Sequence, residues 1–391
     1  MNIRGNGHRN SSRRHARRPV RGEARGALRA GWPLVAMVAT LASVAAPWGL
    51  GASASGIASA APAANAHFNA PGNILIADQF NNRVVEVDSS HHVVWHFGNG
   101  SSVAGPHSIV GTNDAERVGD LTLISGTGTP AGADPSCTNT NGCPDNRVIL
   151  VDRAGRIVWQ YGAAGVTGSG PNELNTPVQA TALPGGDVLI TDQANERVIE
   201  VTPDHGIVWQ YGTTGVTGAG PNQLNNPNSA ELLANGHVLI ADENNNRVIE
   251  VTRRHHTVWS YGSPNDTTTL NGAAFASRLP NGNTLITDSN NNRVVEVTHQ
   301  KTVVFTYVTN TRPGSIAQPL PTRAVRRANG DTLISDQFND QVIEINAAGA
   351  IVFTQGQIQT DGTAFDQLNA PYDAKVIGDF TGLTPPPGGG R

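Results

Sequence analysis

One sixteen-residue pattern keeps returning along this chain, and it limits what the chain can fold into. It reads "GNILIADQFNNRVVEV" from Gly72, "GDVLITDQANERVIEV" from Gly186, "GHVLIADENNNRVIEV" from Gly236, "GNTLITDSNNNRVVEV" from Gly282 and "GDTLISDQFNDQVIEI" from Gly330. A sixth copy is split into "GDLTLIS" at Gly119 and "DNRVILV" at Asp145. The starting glycines lie 47, 67, 50, 46 and 48 residues apart, and an insertion at about 126–144 accounts for the long interval. Each period holds four short apolar runs separated by turn residues. A four-stranded unit of this size cannot bury its own faces, so copies stack side by side and close into a ring. The chain is expected to be all-β: a six-bladed β-propeller with four antiparallel strands per blade.

The runs of the third copy are "QATAL", "DVLIT", "RVIEV" and "IVWQY". "VLI" is apolar throughout, as suits a strand covered on both faces. Alternation puts Ile207, Trp209 and Tyr211 on one face of the last run. Trp95, Trp159, Trp259, Phe305 and Phe353 continue this stripe in other copies. An aromatic stripe in every copy reads as packing between blades. The first copy begins at its second strand, and "LNAPYDAKVIGDFTGL" at the end looks like an inner strand with nothing after it. The C-terminal strand is therefore expected to complete the N-terminal blade and remove two sheet edges.

Within each copy an acid, an amide and an arginine hold fixed offsets. Asp78 and Arg83, Asp192 and Arg197, Asp242 and Arg247, and Asp288 and Arg293 carry the pattern. Such repetition suits a structural joint. The amide (Asn195 in the third copy) is read as tolerating the turn's unusual backbone angles, and the arginine as forking onto an adjacent blade. The second copy departs from the pattern at Ser125, and the last has Gln341 for the arginine. The repeated glutamates Glu86, Glu200, Glu250, Glu296 and Glu344 are read the same way.

These residues resemble the NHL-repeat family. Its pattern of proline, glycine, apolar strand and Asp-x-x-Asn-x-Arg-Val is matched by Pro177, Gly186, Asp192, Asn195, Arg197 and Val198, and by Pro227, Gly236, Asp242, Asn245, Arg247 and Val248. The likeness spans residues 68–383. The "IVWQYG" run is also similar to blades of arylsulfotransferase-like and quinoprotein-like propellers.

Function is expected where the copies differ, at the mouth of the central channel. The two residues after the proline position are His107 and Ser108, Val178 and Gln179, Asn228 and Ser229, Ala274 and Phe275, Thr322 and Arg323, and Tyr372 and Asp373. The candidate ligand-binding set is therefore His107, Ser108, Gln179, Asn228, Ser229, Arg323, Tyr372 and Asp373, gathered in a polar cup. The reading is a binding or interaction module for a small molecule, peptide or protein. The alternative is an enzyme. The resemblance to amidating lyases implies a zinc held by three histidines, yet only His107 stands at a matching position. An arylsulfotransferase-like site would use His107 as nucleophile, Arg323 for sulfate and Tyr372 as proton carrier. No cofactor is expected; zinc or calcium at the mouth is the metal alternative. His91, His92, His205, His255, His256 and His299 fall in turns expected on the opposite face.

The first 66 residues hold nine arginines and one glutamate. The rest is left with 18 basic and 30 acidic residues, a net charge of −12. An acidic body lacks the positive footprint that nucleic acid requires. Residues 1–66 combine a basic start, an apolar stretch at 30–51 and a small-residue tract ending in Ala-x-Ala at Ala64–Ala66. This reads as an export signal whose removal leaves a chain starting at His67; a retained membrane anchor is the alternative. The protein is expected to be exported and monomeric, with a local disulfide between Cys137 and Cys143 and a flexible Pro/Gly tail at 384–391.

Overall fold

The computed structural model describes residues 67–389; the expected leader and the last two residues lie outside them. Within these residues, 24 strands form six four-stranded antiparallel sheets arranged in a ring. Blade 3 has an inner strand Pro177–Ala182, a second strand Val188–Asp192, a third Arg197–Val201 and an outer strand Ile207–Tyr211. Blade 1 is composite. Its inner strand, Pro371–Val376, pairs with Ile74–Asp78, so the two ends of the propeller are joined in one sheet.

The second and third strands are buried along their length because a neighbouring sheet covers each face. From Val208 onward the outer strand alternates, with Trp209 and Tyr211 buried and Val208 facing solvent; Ile207, expected on the buried face, is exposed because a bulge shifts the register before it. Each tryptophan among the described residues also ties its blade to the next. The indoles of Trp95, Trp159, Trp209 and Trp259 donate to the carbonyls of Arg153, Pro203, Arg253 and His299 at 2.9 to 3.1 Å. The turn histidines join these contacts. His205 meets Trp159 and Tyr161 edge-on, His255 does the same at Trp209 and Tyr211, and His91 stacks on Phe353. His91, His205 and His255 adopt left-handed backbone angles, so one residue both makes the turn and seals the blade boundary.

The repeated trio forms a local clamp. Asp192 Oδ2 accepts from Asn195 Nδ2 and Arg197 Nε, both at 2.7 Å, while its Oδ1 accepts from the Asn175 amide at 2.8 Å. The remaining guanidinium nitrogens reach the Ser169 and Glu173 carbonyls. The carboxylate thus lies in the arginine's own blade, and only the carbonyls belong to the loop arriving from the preceding blade. Nor does Asn195 take the unusual backbone angles. The next residue does: Glu196 has φ 57°.

That left-handed residue is the joint between blades. Its side chain accepts the amide that precedes the next inner strand, in six equivalent bonds of 2.5 to 3.2 Å. They run from Gly111 to Asn82, Thr176 to Asn146, Asn226 to Glu196, Gly272 to Asn246, Leu320 to Asn292, and Ala370 to Asp340. Gly212 shows why glycine follows most outer strands: at φ 93° a Cβ would lie 2.2 Å from the Glu196 carbonyl oxygen.

The two irregular copies rebuild the clamp by other routes. In blade 2, Gly126 rather than Ser125 pairs with Arg147, at the place of the aspartate. Asp145 supplies the missing carboxylate, accepting from Arg147 Nε at 2.6 Å and from the Val110 amide at 2.7 Å. In blade 6, Arg312 of the incoming loop pairs with Asp336 and donates to Gln341 Oε1 at 2.7 Å. The insertion in blade 2 is closed by the Cys137–Cys143 disulfide, and Asp134 within it accepts from Asn82 Nδ2 at 2.7 Å.

Candidate channel-mouth site

Strand register places three levels of side chains around the axis. Asn113, Val178, Asn228, Ala274, Thr322 and Tyr372 form the upper rim. Asp114, Gln179, Ser229, Phe275, Arg323 and Asp373 form the next level. Two residues further along the strands stand Glu116, Thr181, Glu231 and Lys375. An alanine lies between these two lower levels in every blade (Ala115, Ala180, Ala230, Ala276, Ala324, Ala374). All six are at most 1% exposed, which lets the inner strands approach closely.

This register corrects the second copy. Its inner strand is Thr112–Val118, so Asn113 and Asp114 hold the positions assigned to His107 and Ser108. His107 is exposed on the connecting loop. The loop is fixed by Arg147, which donates to the Gly105 and Ser108 carbonyls, while Ser108 Oγ donates to the Val103 carbonyl. Pro106 imitates the proline that opens other inner strands. Two signals in the sequence identify the true start: an alanine after the channel-facing residue in every copy, and an interval from outer to inner strand that Pro106 would make shorter than in any other copy. The other six candidates, Gln179, Asn228, Ser229, Arg323, Tyr372 and Asp373, do gather at the axis.

They do not leave an open cup. Arg323, 3% exposed, donates to Asp114 Oδ1 at 2.8 Å, pairs through Nε with Asp373 Oδ1 at 2.6 Å, and lies over the Phe275 ring at 4.2 Å. Lys375 Nζ bridges Asp114 at 2.6 Å and Asp373 at 2.7 Å. Gln179 donates to Glu231 at 3.0 Å and accepts from the Ala230 amide at 2.8 Å. Asp373, Asp114 and Ser229 likewise accept amides of the following inner strand. Arg323, expected to hold a ligand anion, is already neutralised by two carboxylates. The channel wall is itself a set of blade joints.

Contacts span both ends of the channel. Above, Tyr372 reaches from blade 1 to Asn228 of blade 4, with its oxygen 2.7 Å from Asn228 Nδ2. Asn228 also donates to Glu243 Oε2 at 2.8 Å, and Gln193 Nε2 approaches the same oxygen at 3.4 Å. On another sector of the rim, Gln337 donates to Gln79 and Gln79 to Asn113, at 2.8 and 2.9 Å. Below, Thr384 donates from its amide and hydroxyl to Glu231 Oε2 at 2.8 and 2.6 Å and accepts from the Leu232 amide at 2.9 Å. Thr384, expected to begin a free tail, is buried because it supplies both donors to a carboxylate that Gln179 alone would leave under-satisfied. A cavity of about 20 Å³ remains between this segment and Glu116, Thr181, Glu231 and Lys375.

Four acids and two bases share this interior, so protons make up part of the balance. Burial pushes the Asp114 carboxyl up to about 6 against the pull of Lys375. Burial also raises Glu116 well above the usual range and raises Glu231. At the rim, burial without a cation brings Glu243 up to about 7, opposed by the Asn228 hydrogen bond. Asp373 goes the other way: Arg323 and Lys375 together outweigh its burial and hold it low. An acid raised in the folded state gives stability that is lost as pH rises through its folded value; a depressed one loses its contribution as pH falls. Asp192 and Asp242, both pushed by burial to about 6, add to the first trend. The melting temperature should therefore be highest near about pH 5 and fall by pH 8, with the fall reduced in Glu116→Gln and Glu243→Gln. A thermal-shift series from pH 4 to 9 checks this, and a profile still rising from pH 5 to 8 would contradict it.

The mouth does not fit the zinc alternative. With the register corrected, the rim level holds no histidine, and the Asp114 and Asp373 carboxylates below are engaged by Arg323 and Lys375. Among the described residues no group of three or more His, Cys, Asp or Glu side chains is placed to hold a metal ion. The set proposed for sulfuryl transfer is also dispersed, since His107 is on the loop, Arg323 is buried in ion pairs and Tyr372 is bonded to Asn228.

No family model matches the chain, and no curated protein sequence matches it. Solved structures do. A protein of unknown function from Bacteroides caccae aligns with a TM-score of 0.55 at 14% identity, over 78% of this chain and 98% of its own. A virginiamycin B lyase from Staphylococcus aureus aligns with a TM-score of 0.46 at 13% identity, covering 73% and 80% of the two chains. The nidogen/laminin complex gives a TM-score of 0.48 at 10% identity over 72% and 92%. The first of these likenesses shows a shared fold.

Proposed function

We propose that this chain is an exported β-propeller of NHL-repeat type that binds a small molecule, peptide or protein at the upper mouth of its channel. One observation carries the reading. The joints between blades are the same around the ring, whereas the rim changes from blade to blade, with Tyr372, Asn228, Glu243, Gln193, Gln79 and Gln337 in different roles. A rigid ring with a variable rim is the arrangement expected of a recognition surface. The ion-paired wall beneath favours a ligand resting on the mouth over one passing through. Export is supported by the disulfide, which suits an oxidising compartment. No helix among the described residues is long and apolar enough to cross a membrane.

The test is a screen of the mature protein, residues 67–391, against glycan, peptide and metabolite arrays. Any ligand found is then titrated against Asn228→Ala and Gln193→Ala. Both changes should weaken binding about tenfold or more while moving the melting temperature by only a few degrees. Binding indifferent to both substitutions would put the site elsewhere.

A further inference from the structure

Buried carboxylates on the upper face mostly come with their own cations. Asp78 has Arg83, Asp192 has Arg197, Asp242 has Arg247, Asp288 has Arg293 and Asp336 has Arg312. Glu243 breaks this rule at the mouth. It opens the short turn Glu243–Asn245 of blade 4, where the corresponding residues of other blades are the neutral Gln79, Gln193, Ser289 and Gln337. Among the described residues, no arginine, lysine or histidine forms a salt bridge with it. Glu196 and Asp340 also lack a salt bridge, but each accepts the backbone amide of a blade joint; Glu243 has only side-chain amides, and its burial is costly unless a proton or another positive charge is supplied.

The surrounding atoms specify that charge. Glu243 Oε2 is used by Asn228 and Gln193, but Glu243 Oε1 receives no hydrogen bond among the described residues. Asn228 Oδ1 and Gln193 Oε1 likewise receive none, since both amides act here through their nitrogens. Three side chains linked through Glu243 therefore each keep one acceptor that receives no donor among the described residues, and one of the three is a carboxyl group. Tyr372, whose hydroxyl accepts from Asn228 Nδ2, brings an aromatic side chain to the same cluster. A primary ammonium carries three donors and one positive charge, and binds well next to an aromatic ring. A calcium ion would need six to eight oxygens, about twice what is offered.

Building on the mouth-binding reading, we propose that the ligand presents a primary ammonium group and that Glu243, with the Asn228 and Gln193 carbonyl oxygens, receives it. The ammonium belongs to a small amine, a peptide N-terminus or a lysine side chain, all of which share this chemistry.

The test uses the mature protein and calorimetric or ligand-observed NMR titration with defined probes. These are phenethylammonium chloride, the isosteric 2-phenylethanol, an N-acetylated lysine amide, and one tetrapeptide amide with its N-terminus free or acetylated. Phenethylammonium should bind the parent protein about tenfold or more tighter than 2-phenylethanol, and Glu243→Gln should erase that ratio without changing binding of the alcohol. Preference for the free over the acetylated peptide assigns the ammonium to a chain terminus. Binding of the lysine amide with no such preference assigns it to a side chain, and binding of phenethylammonium alone assigns it to a small amine. An unchanged ratio in Glu243→Gln, or no binding of any ammonium probe by the parent, overturns the proposal. So does a calcium titration that shifts the melting temperature of the parent but not of Glu243→Gln. If both phenethyl probes bind equally and Asn228→Ala weakens both, the ammonium assignment falls while the mouth remains the binding site. If Asn228→Ala affects neither, the mouth reading falls as well.

Discussion

Arg323→Met should be among the most damaging single substitutions in this protein, lowering stability by roughly 3–5 kcal/mol at neutral pH. The side chain is 3% exposed and pairs with Asp114 and Asp373, which are fully buried. Removing it leaves two carboxylates to share Lys375, and Asp114 already needs help to ionise. The stacking on Phe275 is lost as well. Arg323→Lys should recover only part of the loss, because an ammonium cannot present the planar fork that spans the two acids. The damage should shrink at about pH 5, where a proton on Asp114 replaces the missing cation. Urea unfolding followed by tryptophan fluorescence at pH 5 and pH 7.5 measures both effects. An Arg323→Met protein within about 1 kcal/mol of the parent would return Arg323 to the role first read from the sequence, an anion-binding group open to ligand.

That contrast shows which parts of this molecule can be read from one dimension. Strand number, order and faces follow from periodicity: the "VLI" and "IVWQY" runs state their burial by pattern, and six copies repeat the statement. The clamp residues Asp192 and Arg197 were visible for the same reason. Pairing across the channel was not. Arg323 meets Asp114 across 209 residues, and Tyr372 meets Asn228 across 144. Those separations depend on which blades the ring brings near the axis and on how far each side chain reaches inward, and no local pattern encodes either. Pro106 is a decoy that points to His107, whereas the alanine repeated after each channel-facing residue carries the correct register. Glu243 sits inside a motif that its repetition marks as structural. Its meaning emerges only from comparing the first turn residue blade by blade and finding one acid among neutral residues. The proline and glycine content of the C-terminal segment suggests a free tail and says nothing about the Thr384 hydroxyl finding Glu231.

The largest effect is expected from cutting the chain at two points near its end. A protein ending at Ala370 loses Pro371–Val376, the inner strand of blade 1. It loses the pairing with Ile74–Asp78, the bridging Lys375 and the Asp373 carboxylate that holds Arg323. The strand Ile74–Asp78, now an edge facing the channel, would expose residues that are 0–5% accessible in the intact ring. No cooperative transition should remain, and the product should aggregate through the unpaired edge. A protein ending at Ile377 keeps that strand and loses only the segment that closes the lower end. Glu231 then gives up two donors from Thr384, and the apolar cover of Leu383 is lost. This should cost about 2–4 kcal/mol while leaving a cooperative, monomeric ring. Thermal melts and size-exclusion chromatography of the two truncations separate the contributions. A cooperative melt for the first would mean that five intact blades hold the fold without closure. An unchanged melt for the second would mean that Glu231 is satisfied by water once the segment is gone. A collapse of both would make the segment part of the closure itself, because ring and plug then form one cooperative unit anchored on the charged interior of the channel.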